Sequence, residues 1–170
     1  MLENLGNQLY VLVNDFGIIG FFLAAIIANA TLFLPLPIDA LVLLYSGTVK
    51  NVYYVITIGL VVGLGSAIGE MSGYILGYLG KKGVDKLNRS QRKIFYEAGT
   101  KLQKQGFIFI IIAAFTPIPF DAVGLAAGFL RYPAGLFFLG ALIGKLARYL
   151  LIALAGYYGV HWVLSFLGAG

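Results

Sequence analysis

Hydrophobic residues in this chain form long blocks, and a pair of prolines interrupts the first of them. The block 16–34 stops at Pro35-Leu36-Pro37 and resumes over 40–49, whereas the block 52–80 is continuous. A helix rises about 1.5 Å per residue, and the apolar layer of a bilayer is about 30 Å thick. The segment 40–49 is therefore about half as long as a membrane crossing, and 52–80 is long enough to span. The pattern predicts a helical hairpin that turns at Pro35 and Pro37, followed by a transmembrane helix.

The same pattern occurs a second time in the chain. Short apolar segments at 107–115 and 121–130 flank Pro117-Ile118-Pro119, and a continuous apolar block follows at 133–160. Two prolines one residue apart remove two backbone donors and disfavour helix at the preceding positions. We therefore expect a second hairpin turn at Pro117 and Pro119.

Sequence similarity supports an internal repeat. The hexapeptide PLPIDA, which begins at Pro35, is matched 82 residues later by PIPFDA, which begins at Pro117, and Gly59 and Gly63 are matched to Gly140 and Gly144 at an offset of 81. If each hairpin enters and leaves on one side, each repeat crosses the membrane once, and the two repeats have opposite orientations. Inverted repeats of this kind are typical of secondary transporters, in which broken helices meet near the middle of the membrane.

The predicted fold class is all-α: a polytopic membrane protein built as an inverted repeat of a re-entrant helical hairpin plus a transmembrane helix. We expect a single membrane domain over 1–170, with repeat one at about 16–80, a basic cytoplasmic linker at 81–106 and repeat two at 107–160. Composition agrees, because 60% of the residues are hydrophobic and 11% are charged, whereas soluble domains have about a quarter charged. The absence of cysteine excludes disulfides and thiolate chemistry. No metal site, cofactor or enzyme activity is predicted.

Positive charge is concentrated in the linker and indicates the topology. Eight of the twelve Lys and Arg residues lie between Lys81 and Lys104, opposed by Asp85 and Glu97. Short basic loops remain on the cytoplasmic side of a membrane. The second hairpin is therefore expected on that side and the first on the outer side. The side of the N-terminus stays open, because 16–34 is also long enough to cross the membrane.

An apolar stripe of near-helical spacing runs through the same linker. It consists of Val84, Leu87, Ile94, Ala98 and Leu102. An apolar stripe flanked by Lys and Arg is typical of a helix that lies on an anionic membrane surface. A solvated helix is the alternative interpretation. Nucleic acid is not expected as a partner, because the linker has few aromatic residues on which bases could stack.

Two aspartates follow the proline turns and are candidate site residues. Asp39 and Asp121 occupy equivalent positions in the two repeats. A carboxylate within a bilayer is costly unless it is neutral, paired or hydrated, so such acids are candidates for substrate or proton binding. The alternative is that each aspartate caps the short helix after its turn. The two roles are compatible.

Three further charged residues lie deep in the predicted spanning helices. Glu70 is in the first span, and Lys145 and Arg148 are three residues apart in the second, close to one helical face. These charges are expected to pair across the repeat interface, where Lys145 or Arg148 meets Glu70, Asp39 or Asp121. Such a cluster suits substrate or proton binding, although ion pairs that only orient the helices are the alternative.

Three motifs resemble a known family. They are the run from Gly69 to Gly80 (GEMSGYILGYLG), the segment from Phe115 to Asp121 (FTPIPFD) and the run from Gly144 to Tyr149 (GKLARY). Together they resemble the DedA family, also called VTT or SNARE-associated Golgi proteins, and most closely its YqaA-like branch. The resemblance implies two re-entrant hairpins that meet in the membrane, lipid translocation of the flippase or scramblase type, and coupling to protons.

The sequence departs from the family in one respect. In better-studied bacterial members an acid in the first hairpin is matched by arginines in the second, which are thought to hold a phosphate. The acid is present here as Asp39, but the second hairpin has Thr116 and Asp121 and no arginine. Lys145 and Arg148 are the cationic candidates instead, which leaves the substrate open.

The function expected from these observations is lipid translocation in the cell membrane by a multi-pass protein. The expected partners are membrane lipids, either phospholipids or lipid-phosphate carriers, together with protons if transport is coupled to them. A proton-coupled carrier of an ion or small solute and a non-transporting protein of membrane assembly are the alternatives. Homo-oligomerisation stays open.

Overall fold

Six helices form the described part of the chain. The computed structural model describes residues 2–30, 38–80 and 89–166, and no strand occurs within these ranges. In chain order the helices are α1 (Leu2–Ala30), α2 (Ile38–Thr48), α3 (Val52–Tyr78), α4 (Arg89–Phe115), α5 (Phe120–Phe129) and α6 (Ala134–Phe166). The prediction of an all-α fold is confirmed.

Three of these helices contain segments long and apolar enough to cross a membrane. The segments are Val11–Ala30, Val52–Tyr78 and Ala134–Gly159, and α2 and α5 are shorter apolar helices. Lengths and composition therefore indicate a membrane protein. The re-entrant course of the hairpins and their division into inverted repeats stay predictions.

Sharp kinks divide α1 and α4 at glycines. Gly17 has φ 55° and ψ −125°, and Gly106 has φ 53° and ψ −122°, a conformation that residues with a Cβ rarely adopt. The candidate span in α1 contains its kink, so the helix from 18 to 30 is only about 20 Å long. In α4 the kink separates a basic segment, 89–105, from an apolar segment, 107–115.

The short helices pack on the long helix of the other half of the chain. Helix α2 lies along α6, and α5 lies along α3, while α3 and α6 pack against each other. A Cβ on Gly77 of α3 would lie 2.2 Å from the carbonyl oxygen of Leu125, and one on Gly156 of α6 would lie 2.1 Å from that of Leu43. In both contacts a glycine of a long helix faces the backbone of a short helix, and only glycine permits the two backbones to approach so closely.

The glycine matching derived from the sequence is wrong for the middle of the long helices. Gly140 and Gly144 of α6 pack against α4, and the glycines of α3 that pack against α1 in the same way are Gly65 and Gly69. Gly59 and Gly63 instead face α6. The offset of 81 residues therefore matched glycines with different packing partners.

The expected membrane-facing stripe in the linker is also corrected. Ala98 and Leu102 are buried, together with Phe95, in an apolar cluster shared with α5 and α6. These two residues of the stripe thus pack against protein rather than a membrane surface. Val84 and Leu87 lie outside the described residues.

Two apolar clusters form the core, with charged residues between them. Along α3, Val62 belongs to one cluster and Tyr74 to the other. Along α6, Ala141 belongs to the cluster of Tyr74, and Tyr149 belongs to the cluster of Val62. Glu70 and Lys145 lie between these positions along their helices, so this buried charged pair lies between the two apolar clusters.

Candidate functional site

The first ion pair joins α3 and α6 within the core. Lys145 Nζ lies 2.6 Å from Glu70 Oε1, and the two side chains are 7% and 4% exposed. The ammonium group also lies 5.4 Å from the centroid of the Phe120 ring. Burial of two charges is costly, and the mutual attraction offsets this cost only when the geometry is good. Glu70 Oε2 is buried and has no hydrogen-bond partner among the described residues.

Asn29 connects this pair to α1. Its Oδ1 accepts a hydrogen bond of 3.0 Å from Lys145 Nζ. Its Nδ2 donates to Ser66 Oγ at 3.0 Å and to the carbonyl oxygen of Ala25 at 2.9 Å. The side chain therefore bridges α1, α3 and α6 and fixes the position of the ammonium group. Sequence reasoning missed this residue, although an amide within the apolar block 16–34 was the signal for it.

The second ion pair lies one turn further along α6. Arg148 Nη2 pairs with Asp39 Oδ2 in the first turn of α2. Arg148 Nη1 donates a hydrogen bond of 2.7 Å to the carbonyl oxygen of Thr116. The last carbonyls of a helix lack partners within it, so Arg148 satisfies a carbonyl group at the end of α4 and connects it to the Asp39 side chain in the first turn of α2. The Arg148 side chain is 17% exposed and that of Asp39 is 42% exposed.

Tyr149 lies between the two pairs. It is fully buried, and its hydroxyl group interacts with both Asp39 and Ser66. Because Ser66 also accepts a hydrogen bond from Asn29, polar contacts run without a gap from Glu70 to Arg148. The two ion pairs thus belong to one polar network.

The structure brings four of the five candidate charges into this network. Asp39, Glu70, Lys145 and Arg148 form its two pairs. Asp121 is half-buried in the first turn of α5 and also takes part in an interaction. In residues 2–30, 38–80 and 89–166, no three His, Asp or Glu side chains are close enough to hold a metal ion.

The proline turns are described only in the second half of the chain. Helix α4 ends at Phe115 and α5 begins at Phe120, with Pro117 and Pro119 exposed between them. This break lies where the sequence predicted a turn. Pro35 and Pro37 lie outside the described residues.

Three apolar helices of membrane-spanning length, with an ion pair buried between two of them and a second, partly exposed pair beside it, define a multi-pass membrane protein with a charged interior site. The chain belongs to the VTT domain family, whose model matches residues 10–158. This assignment is consistent with the resemblance to DedA proteins. It makes the chain a membrane protein of the DedA type.

Two relatives cover most of the chain. An uncharacterized protein of Haemophilus influenzae is 25% identical over 146 residues, which are 82% of this chain and 72% of that protein. An uncharacterized protein of Methanocaldococcus jannaschii is 27% identical over 158 residues, which are 90% of this chain and 92% of that protein. No solved structure matches the chain.

Proposed function

We propose that this protein is a lipid translocase of the flippase or scramblase type, of the YqaA-like branch, and that it acts in the cell membrane without enzyme activity. The observation that carries the proposal is the Arg148–Asp39 pair. It holds a cation that is still 17% exposed beside a carboxylate that is 42% exposed.

The chemistry of arginine supports this role. Its planar guanidinium group binds phosphate oxygens through two parallel hydrogen bonds, more specifically than a lysine ammonium group does. Asp39 occupies one edge of the Arg148 guanidinium group, so an arriving phosphate headgroup competes with a carboxylate that water already reaches. The acyl chains of such a lipid would remain in the bilayer.

The two pairs are suited to different parts of transport. The Glu70–Lys145 pair is almost completely buried, so a headgroup would reach it only after the helices moved. Acids inside a membrane are candidates for proton binding, and the second oxygen of Glu70 is buried without a hydrogen-bond partner among the described residues. We therefore assign headgroup contact to Arg148 and any proton coupling to Glu70.

The test is leaflet exchange of labelled phospholipids in liposomes that contain the purified protein, with and without a pH gradient. Exchange is expected for the wild type, with loss in Arg148→Ala and partial retention in Arg148→Lys, which keeps the charge but not the bidentate geometry. Lys50→Gln removes an exposed cation at a distance from the pairs and is the matched control. Absence of exchange by the wild type under every condition would contradict the proposal.

A proton-coupled carrier of an ion or small solute is the second candidate. The buried Glu70 oxygen without a partner among the described residues is the observation that favours it. In that case liposomes would show no lipid exchange, but solute uptake would follow the pH gradient and fall in Glu70→Gln. If a variant that lacks both ion pairs still supported the protein's function in cells, the protein would instead have a role in membrane assembly that does not require a charged binding site.

A further inference from the structure

A groove lies outside the ion-pair site, between the basic segment of α4 (89–105) and the C-terminal end of α5. Its volume is about 210 Å³. Phe95 and Ala126 form its buried floor, and Tyr96 and Phe129 line it while more than half exposed. The rings of Phe95 and Phe129 meet edge to face with centroids 5.8 Å apart. Thr100 and Gln103 also line it, so the groove is mainly apolar and aromatic, with polar side chains on its α4 side.

Gly99 lines this groove and is not explained by packing. Glycine destabilises a helix interior relative to alanine, and at Gly77 and Gly128 close packing requires it, because a Cβ would lie 2.2 and 2.0 Å from backbone oxygens. At Gly99 the nearest atom is Leu130 Cδ1 at 3.7 Å, an ordinary contact. A Cβ would therefore fit at Gly99, and because Gly99 lines the groove, a longer side chain at this position would compete with a ligand for the same space.

Positively charged residues lie beyond one end of the groove, on the same face of α4. Arg92 precedes Tyr96 by four residues and Gly99 by seven, so the three lie on one stripe, and Arg89 lies about one turn before Arg92. Both arginines are exposed. The segment 89–105 carries five cations and a single carboxylate, Glu97, which pairs with Lys93 at 3.9 Å.

We propose that this groove binds one anionic phospholipid, with an acyl chain against Phe95 and Phe129 and the phosphate group near Arg89 and Arg92. An apolar channel that continues into a cationic end complements a molecule with an apolar chain and an anionic head. The inference goes beyond the proposed translocation, because a lipid retained at this site is bound whether or not the protein moves lipids between leaflets.

The experiment measures lipid retention by the purified full chain in detergent, using native mass spectrometry. Phosphatidylglycerol and phosphatidylcholine with identical acyl chains are added in separate titrations. The wild type is expected to retain phosphatidylglycerol more strongly. Loss of both cations in Arg89→Gln/Arg92→Gln is expected to weaken that binding by about fivefold per arginine, towards the phosphatidylcholine value.

Two further variants separate the groove from general surface charge. Lys50→Gln/Lys101→Gln removes the same charge from exposed positions that do not line the groove. Lys101 is two residues from Gly99, so it lies on a different face of α4, and its ammonium group lies 5.8 Å from the centroid of the Phe109 ring. This double variant is expected to leave phosphatidylglycerol binding unchanged. Gly99→Leu is expected to reduce retention of both lipids, while circular dichroism shows an intact helical fold, since leucine is a better helix former than glycine.

Three results would overturn the proposal. They are equal retention of the two lipids by the wild type, equal losses in the two double variants, and full phosphatidylglycerol binding by a folded Gly99→Leu protein. Because retention is measured in detergent, none of these results depends on translocation. Failure of lipid exchange in liposomes would likewise leave this proposal standing.

Discussion

The two ion pairs use cations only three residues apart on α6, yet their surroundings differ. Glu70–Lys145 is almost fully buried between two apolar clusters, whereas Asp39 of the second pair is 42% exposed. Removing one partner from a buried pair leaves the other charge unpaired in the core, which destabilises the fold. A half-exposed charge that loses its partner can be hydrated instead. We infer that the first pair contributes more to stability and that the second is the one that a headgroup can reach without a movement of the helices.

The largest effect on stability is expected from Lys145→Met. This change leaves Glu70 buried without its partner and should lower the free energy of unfolding in detergent by about 3–5 kcal/mol. The double variant Glu70→Gln/Lys145→Met removes both charges and should recover much of that loss. If the single variant unfolds like the wild type, the buried pair does not have the role assigned to it.

A smaller loss is expected when Asn29 is changed to leucine. The substitution removes the acceptor for Lys145 and the donor to Ser66, and unsatisfied buried groups cost about 1–3 kcal/mol. Thermal unfolding in detergent measures the change. Asn14→Leu is the control, since Asn14 is an exposed amide on the same helix. Equal stability of the two variants would show that Asn29 does not position the ammonium group.

Arg148→Gln is expected to change stability least among these single substitutions but to impair lipid exchange. Partly exposed pairs contribute about 0–1 kcal/mol, and the 42% exposed carboxylate of Asp39 can be hydrated once its partner is removed. Unfolding and leaflet exchange are measured on the same preparation. A loss of stability as large as that of Lys145→Met would remove the distinction between the pairs.

The sequence predicts much of this architecture, because the lengths of the apolar runs and the positions of the prolines determine where many of the helices lie. The long helices α3 and α6, the short apolar helices and the break at Pro117 follow from apolar run lengths and from proline, whereas the early start of α1 and the helical basic segment of α4 do not. The sequence leaves open which acid pairs with Lys145 and which with Arg148. That choice depends on α2 packing against α6, a contact between residues more than a hundred positions apart.

Two other features show why periodicity is not sufficient. The stripe through Ala98 and Leu102 identifies residues that share a helical face, but it does not say whether lipid or protein covers that face. Asn29 is similar, because an amide in an apolar block can have many partners. Both answers come from tertiary packing, which a single sequence does not encode locally.

Ionic strength offers the finest test of the comparison between the two pairs. Salt screens exposed charges over about 10 Å at 0.1 M and about 3 Å at 1 M, but it screens buried pairs much less. Double-mutant cycles for Asp39–Arg148 and Glu70–Lys145, measured by unfolding at both salt concentrations, give each interaction energy separately. The Asp39–Arg148 energy is expected to fall by a few tenths of a kcal/mol, since the whole contribution of such a pair is about 0–1 kcal/mol. The Glu70–Lys145 energy should stay constant, and an equal response of the two would mean that salt and water reach both pairs alike.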